Sequence, residues 1–268
     1  MTSDTNYIVF LGTAGARFMV IGQHLASGGV WLNLDGTEIL VDPGPGCIVQ
    51  TIKQGLEPEK LNAIILTHRH LDHSSDLNIM IEAMTRGGLT KRGQLFLPAD
   101  ALGCEPVVFS YLHDYLGSIT LLEKGRRYSI GNISFITPVK HIHSVETYGM
   151  VFQTADHTLS YITDSRFFNG LLESYCGELI IINVVFLDNK PHTALPPKFP
   201  ADHLSLLDAE QIIIALKPKV AILTHFGTRI WRANPSSVAE DISQRTGIRV
   251  LAAQDGMRFY LSEIKEKK

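Results

Sequence analysis

The run Ala63-Ile-Ile-Leu-Thr67 leads straight into His68-Arg69-His70-Leu71-Asp72-His73, and this junction constrains the fold more than any other stretch. A short continuous apolar run is the pattern of a buried strand. Three imidazoles and a carboxylate cannot all follow it into a core, because buried polar groups need partners and four together would be costly. At a strand end, on the turn into a helix, such side chains can converge on one point. Imidazole nitrogen and carboxylate oxygen are ligands suited to zinc and its neighbours. The chain must therefore bury a strand whose end opens onto a polar, metal-competent cluster.

The remaining patterns supply the scaffold for that strand. Tyr7–Leu11, Val30–Leu34, Ile39–Val41, Leu95–Leu97, Ile133–Ile136, Met150–Phe152, Leu159–Ile162, Leu179–Val185, Val220–Thr224, Arg249–Leu251 and Met257–Leu261 read as strands, with Asp35-Gly36 as a hairpin turn. Asp42-Pro-Gly-Pro-Gly46 is a hard turn before a short helix that ends near Gly55. Leu77, Met80, Ile81 and Met84 predict a helix stopped by Gly87-Gly88. Val108, Leu112 and Tyr115 predict another over Pro106–Leu116, and a short one covers Leu171–Tyr175. Ser205 and Asp208 have capping-box spacing for a helix ending at Lys217-Pro218, and Asn234-Pro235 opens a last helix that stops at Gly247. Leu11-Gly12-Thr13-Ala14-Gly15 is a tight turn with no helix pattern after it, so it is not read as a phosphate loop. Phe186–Asp202 holds four prolines and reads as a loop, with Lys190–Lys198 expected to shape a pocket ahead of His203. Strands dominate each half, and helices follow several of them. That suggests an α/β protein of two packed sheets with helices outside. No linker or repeat divides the chain, and residues 1–268 are expected to form one domain.

Composition narrows the function classes. A 45% hydrophobic fraction supports a sizeable core and excludes a disordered chain. With 24 basic and 27 acidic residues the net charge is -3, so no general basic field invites nucleic acid. Cys47, Cys104 and Cys176 are too few and too scattered for a disulfide framework, and a reducing compartment is expected. No basic region precedes an apolar stretch at the N-terminus, and the greasy run Leu179–Leu187 holds Asn183 and falls short of the ~20 residues of a membrane span. A cytoplasmic protein without membrane contact is the expectation.

The pattern H-x-H-x-D-H over His68–His73 resembles the signature of the metallo-β-lactamase superfamily. That resemblance implies a four-layer αββα sandwich of two mixed sheets. It also implies that His68 and His70 bind one metal, and that Asp72 and His73 bind a second. A third ligand to the first metal is expected from a strand in Lys140-His141-Ile-His143-Ser-Val-Glu-Thr-Tyr-Gly149. In a strand His141 and His143 would share a face. The segment is similar to the H-x-V-E-x-[FY]-G stretch of tRNase Z-like members, which favours His143 and leaves His141 in the pocket wall or among supporting groups. By the same resemblance Asp164 bridges both metals, His225 completes the second, and Asp42 supports a metal-ligating histidine. The motif Asp202-His203-Leu204-Ser205 looks like that of the tRNase Z and phosphodiesterase branch. There the histidine is not a primary ligand; it can protonate the leaving oxygen or stabilise transition-state charge.

The chain departs from tRNase Z in one respect. That enzyme carries a long tRNA-gripping arm between the third-ligand histidine and the bridging aspartate, whereas here residues 144–163 alone separate His143 from Asp164. Precursor tRNA is therefore not the expected substrate. The resemblance implies two divalent ions, with zinc expected and manganese or iron fitting the same N/O donors. The expected activity is hydrolysis of a small phosphodiester by metal-bound hydroxide, with Asp72 orienting the nucleophile and His203 assisting the leaving group. The alternatives are an ester, thioester or lactone hydrolase and a nuclease acting on short RNA or DNA; a homodimer is expected. Arg229 and Arg232 are read as a solvated face, and His24, His113, His157 and His192 as ordinary histidines.

Overall fold

The computed structural model describes residues 6–188 and 202–264. The first part of the chain supplies β1 (Tyr7–Phe10), β2 (Val30–Leu34), β3 (Thr37–Val41), β4 (Ala63–Ile65), β5 (Arg92–Leu97) and β6 (Leu116–Leu121). The second supplies β7 (Arg127–Ile130), β8 (Ile133–Ile136), β9 (Met150–Gln153), β10 (Thr158–Ile162), β11 (Leu179–Asn183), β12 (Val220–Thr224) and β13 (Arg249–Ala252). The last strand, β14 (Arg258–Tyr260), returns to the edge of the first sheet beside β1. The two sheets have seven strands each, ordered β14-β1-β2-β3-β4-β5-β6 and β13-β12-β11-β10-β9-β8-β7. Both are mixed. The pairs from β3 to β6 are parallel, as are those from β10 to β13, and the remaining pairs are antiparallel.

Strand alternation builds the layers. In β4, Ala63 and Ile65 join the core between the sheets, whereas Ile64 and the following Leu66 turn outward to Met80, Ile81 and Met84. In β11, Leu179 and Ile181 face the same central core, and Ile180 and Ile182 face Ile212, Ile213 and Ile242. These strands are apolar up to the Asn183 that ends β11, because both faces are covered. Full burial of each such side chain stabilises the fold by about 1.5–3 kcal/mol. The outer layers are α2 (Cys47–Lys53) and α4 (Leu77–Thr85) on one side and α6 (Leu206–Leu216) and α8 (Pro235–Thr246) on the other. The result is the αββα sandwich. Shorter helices α1 (Ala16–Gly22), α3 (Leu71–Ser74), α5 (Asn169–Ser174) and α7 (Thr228–Arg232) lie in the connections.

Four expectations are corrected. The Pro106–Leu116 segment is not an α-helix; a 3₁₀ turn covers Ser110–Tyr115, and the chain then enters β6 at Leu116. Its spacing reflects Val108 and Leu112 buried against α4, which one tight turn satisfies. The strands β6 and β7 were not expected, although in β7 Tyr128 and Ile130 point inward while Arg127 and Ser129 are exposed. A helix, α1, does follow the Gly12–Gly15 turn, and its faces carry no apolar–polar periodicity to announce it. His141 and His143 lie on a loop rather than a strand, held by an isolated bridge between Lys140 and Tyr148. The expected role of Lys190–Lys198, and His192, lie outside the described residues.

Candidate metal centre

The side chains singled out by the sequence meet where the parallel strands of both sheets end. His68, His70, Asp72 and His73 follow β4, with Asp72 and His73 on α3. Asp42 follows β3, Asp164 follows β10, His225 follows β12, and His203 precedes α6. His143 enters from the loop between β8 and β9. Two triads result, His68–His70–His143 and Asp72–His73–His225, each with ligand atoms inside a 4.8 Å group. Asp164 stands between them. Its Oδ2 lies 3.9 Å from His68 Nε2 and 3.4 Å from His73 Nε2, and its Oδ1 lies 3.3 Å from His225 Nδ1.

Hydrogen bonding behind the triads fixes which nitrogens face inward. Asp42 accepts from the Thr67 backbone N–H (2.7 Å), the Thr67 hydroxyl (2.7 Å) and His73 Nδ1 (2.9 Å). Thr67 has one hydroxyl proton and gives it to Asp42, so His68 Nδ1, 3.0 Å away, must donate to Thr67. His143 Nδ1 donates to the Asp202 carbonyl at 2.9 Å. In the neutral rings each arrangement leaves Nε2 of His68, His73 and His143 bare. Bonds of this kind orient metal-binding imidazoles and set their tautomer. His70 reaches Ser144 Oγ through Nε2 (3.2 Å), which turns its Nδ1 to within 3.1 Å of the bare His143 Nε2. With the His70 proton on Nε2, its Nδ1 and the His143 Nε2 present two lone pairs that a cation between them accommodates.

Buried atoms without partners make the same point. His68 Nε2, His73 Nε2, both ring nitrogens of His225, His203 Nδ1 and Asp164 Oδ2 are all buried and lack hydrogen bonds. Such groups cost of order 1–3 kcal/mol each when left unsatisfied. Their convergence fits divalent cations held by N and O donors.

Electrostatics prepares the first triad for a metal. Burial, with His143 beside it, holds His70 down to about 4. Burial and neighbouring His73 keep His68 well below the usual histidine range, and burial lowers His143 as well. These imidazoles are neutral at pH 7, the state that ligates. In the second triad burial opposes charge on His73, yet Asp72, Asp42 and Asp164 outweigh it and raise the group well above its ordinary value. Burial also works against ionised Asp164, but His225, His203 and His73 hold it far below the usual carboxylate range.

Glycines permit the close approaches. A Cβ on Gly15 would lie 1.9 Å from the His225 carbonyl oxygen, and one on Gly44 would lie 2.1 Å from that of Asp72. His225 itself sits at φ 62°, a left-handed conformation unusual for a non-glycine residue, directly after a buried strand. His141 stands behind the site: its Nδ1 donates to the Asp164 carbonyl (3.1 Å) and its Nε2 accepts from the Tyr175 hydroxyl (2.6 Å). Asn183 was missed as a site residue. Its side-chain N–H donates to Asp164 Oδ1 at 2.9 Å, and the available signal was a lone amide ending an apolar strand. Arg229 is engaged by Asp188, and the His24 ring stacks on Trp231. An open cleft of about 600 Å³ leads to the centre past His70, Asp72, His143 and His203.

Comparisons with known proteins agree with this architecture. The family model for the beta-lactamase superfamily domain matches residues 37–226, and the chain belongs to that superfamily, in its metallo-β-lactamase form. An uncharacterized protein, MJ1374 of Methanocaldococcus jannaschii, is 32% identical over 272 residues, covering 97% of both chains. A ribonuclease Z of Thermobifida fusca is 34% identical over 96 residues, 36% of this chain and 29% of that protein, which relates the chain to the tRNase Z branch. The crystal structure of the metallo-beta-lactamase fold protein YhfI from Bacillus subtilis superposes with a TM-score of 0.77 at 21% identity, covering 95% of this chain and 98% of that one. Family and His/Asp clusters together define a metal-dependent hydrolase. Among the described residues no helix is long and apolar enough to cross a membrane.

Proposed function

We propose that this chain is a phosphodiesterase acting on small phosphodiesters at a dinuclear centre. His68, His70 and His143 would hold one divalent cation and Asp72, His73 and His225 the other, with Asp164 between the two groups; zinc is the expected ion. When bound, such cations polarise phosphoryl oxygens and bring the pKa of a shared water near neutrality. The observation that carries the reading is the position of His203. Its Nδ1 lies 3.3 Å from Asp164 Oδ2, while the residue lines the open cleft. With Nδ1 turned to the carboxylate, Nε2 is left to deliver a proton to a departing alkoxide, a role worth about 10²–10⁴-fold in rate. Asp72 Oδ2, 3.7 Å from His73 Nε2 and 3.6 Å from His225 Nε2, is placed to orient the attacking oxygen.

The small-substrate part of the reading is supported by the segment before Asp164. β9 and β10 pair as a hairpin in which Gln153 faces Thr158, so no extended arm lies there to grip a large RNA. The test is hydrolysis of a chromogenic phosphodiester and of a thioester by zinc-loaded protein, with His203→Ala beside the wild type. Phosphodiester turnover that falls at least 100-fold in the variant, with zinc content retained, is the expected result. Thioester turnover alone, untouched by the substitution, overturns the proposal in favour of an acyl hydrolase.

A further inference from the structure

The helix α1 breaks the usual rule for a surface helix. Its sequence, Ala-Arg-Phe-Met-Val-Ile-Gly, carries one polar side chain and buries only Met19. Phe18 is 63% exposed and Ile21 77%, and beside them Leu71, between His70 and Asp72, is 75% exposed. Exposed apolar clusters of this kind mark sites of contact. The helix is fastened at both ends: Gly15 packs on the His225 backbone before it, and His24 stacks on Trp231, 4.6 Å between ring centres, after it. Val20, Ile21, Pro45 and Leu71 line the same cleft as His70, Asp72, His143 and His203. Apolar side chains therefore line the same cleft as the candidate metal-ligating and proton-donating groups. A cleft of about 600 Å³ is of small-ligand size.

We propose that this apolar lining selects phosphodiesters whose second ester arm is apolar, an alkyl or aryl group of several carbons lying along Val20, Ile21 and Leu71. The inference rests on the phosphodiesterase reading. It follows from continuity: a phosphoryl group held at the metals projects its non-leaving arm across the cleft, and the surface waiting there is apolar. A second copy of the chain seated on the same wall would close the entrance to the centre. Arg17, on the same helix, places a cation beside the path of the anionic phosphate.

The test separates binding from turnover. Methylphosphonate and hexylphosphonate are titrated calorimetrically into zinc-loaded protein, and 4-nitrophenyl methyl and 4-nitrophenyl hexyl phosphates are assayed for hydrolysis. Because burial of each methylene is worth roughly a two- to fourfold gain on a partly open wall, the hexyl compounds are expected to bind at least tenfold more tightly and to show higher kcat/KM. In the double variant Ile21→Ser/Leu71→Ser, the hexyl-to-methyl ratio is expected to fall towards one. Equal binding of the two phosphonates to wild type overturns the inference, as does a preference that survives the double substitution. A double variant that keeps the preference but changes its sedimentation assigns the wall to self-association, and also overturns it. Chain-length-dependent phosphonate binding without hydrolysis of either ester upholds the apolar wall and refutes the phosphodiesterase reading.

Discussion

Substituting Asp42 by Asn tests how the second triad is held. Asp42 accepts three hydrogen bonds, two from Thr67 and one from His73 Nδ1. Asparagine is isosteric, and its Oδ1 can still take the Thr67 backbone N–H. Its NH₂ group, however, replaces the oxygen that receives both the Thr67 hydroxyl and His73 Nδ1. Two donors then face each other unless His73 moves its proton to Nε2. That proton occupies the lone pair aimed at Asp72 and Asp164, and the nitrogen no longer ligates. Losses of this supporting kind typically weaken metal binding by about 10–100-fold, or about 1.4–2.8 kcal/mol. The same NH₂ group also meets the Thr67 hydroxyl, whose bond to Asp42 sets the His68 tautomer, so both triads are affected. Zinc competition against a chromogenic chelator is expected to show weakened binding by that factor, with circular dichroism unchanged. Two equivalents bound by Asp42→Asn with wild-type affinity would refute the tautomer argument.

Three further outcomes follow from the structure. Gly15→Ala places a Cβ 1.9 Å from the His225 carbonyl oxygen, so urea unfolding should show a loss of about 1–3 kcal/mol together with weakened metal binding. Ser205→Ala removes the hydroxyl that accepts from the Asp208 backbone N–H in the capping box of α6, and should cost about 1 kcal/mol by the same assay. Glu178 is held below the ordinary carboxyl value by hydrogen bonds from Lys219 first and His157 next, each at 2.9 Å. Its stabilisation is therefore present above the unfolded carboxyl pKa of about 4.3 and is lost as pH falls through the folded value. Thermal melts of Glu178→Gln should lie below wild type at pH 7 and converge with it in acid.

What the sequence revealed depended on whether one residue's neighbours along the chain also decide its environment. The run 63–67 is buried on both faces, so every position before its terminal Thr67 is apolar and the strand is plain. The same holds for β11 and β12. The histidine cluster was legible because its polar residues sit against that run. β7 alternates cleanly but is only four residues long, and glycines at 125 and 131 flank it. The 3₁₀ turn at Ser110–Tyr115 mimics helical spacing because one tight turn buries Leu112 as an α-helix would. His143 was placed by likeness of its segment, and the strand expected there is replaced by a loop closed through His141 N–H to the Thr147 carbonyl. Asn183 and Thr67 act on the site through partners distant in the chain, Asp164 and Asp42, and nothing local announces such a bond. α1 was invisible because its apolar faces look into the cleft rather than into a core.

The order of strands has a consequence for biosynthesis. The first sheet contributes His68–His73 early, whereas His143, Asp164 and finally His225 arrive only as the second sheet is translated. A nascent chain that ends before β12 carries the early histidines, His143 and Asp164 but lacks His225. The triad His68–His70–His143 has all its members once the loop before β9 has been made, whereas Asp72–His73–His225 cannot close until β12 has emerged and paired with β11 in register, Asn183 opposite Thr224. Premature termination between His143 and His225 thus yields a chain with the first triad whole and the second incomplete, and termination before His143 leaves both incomplete.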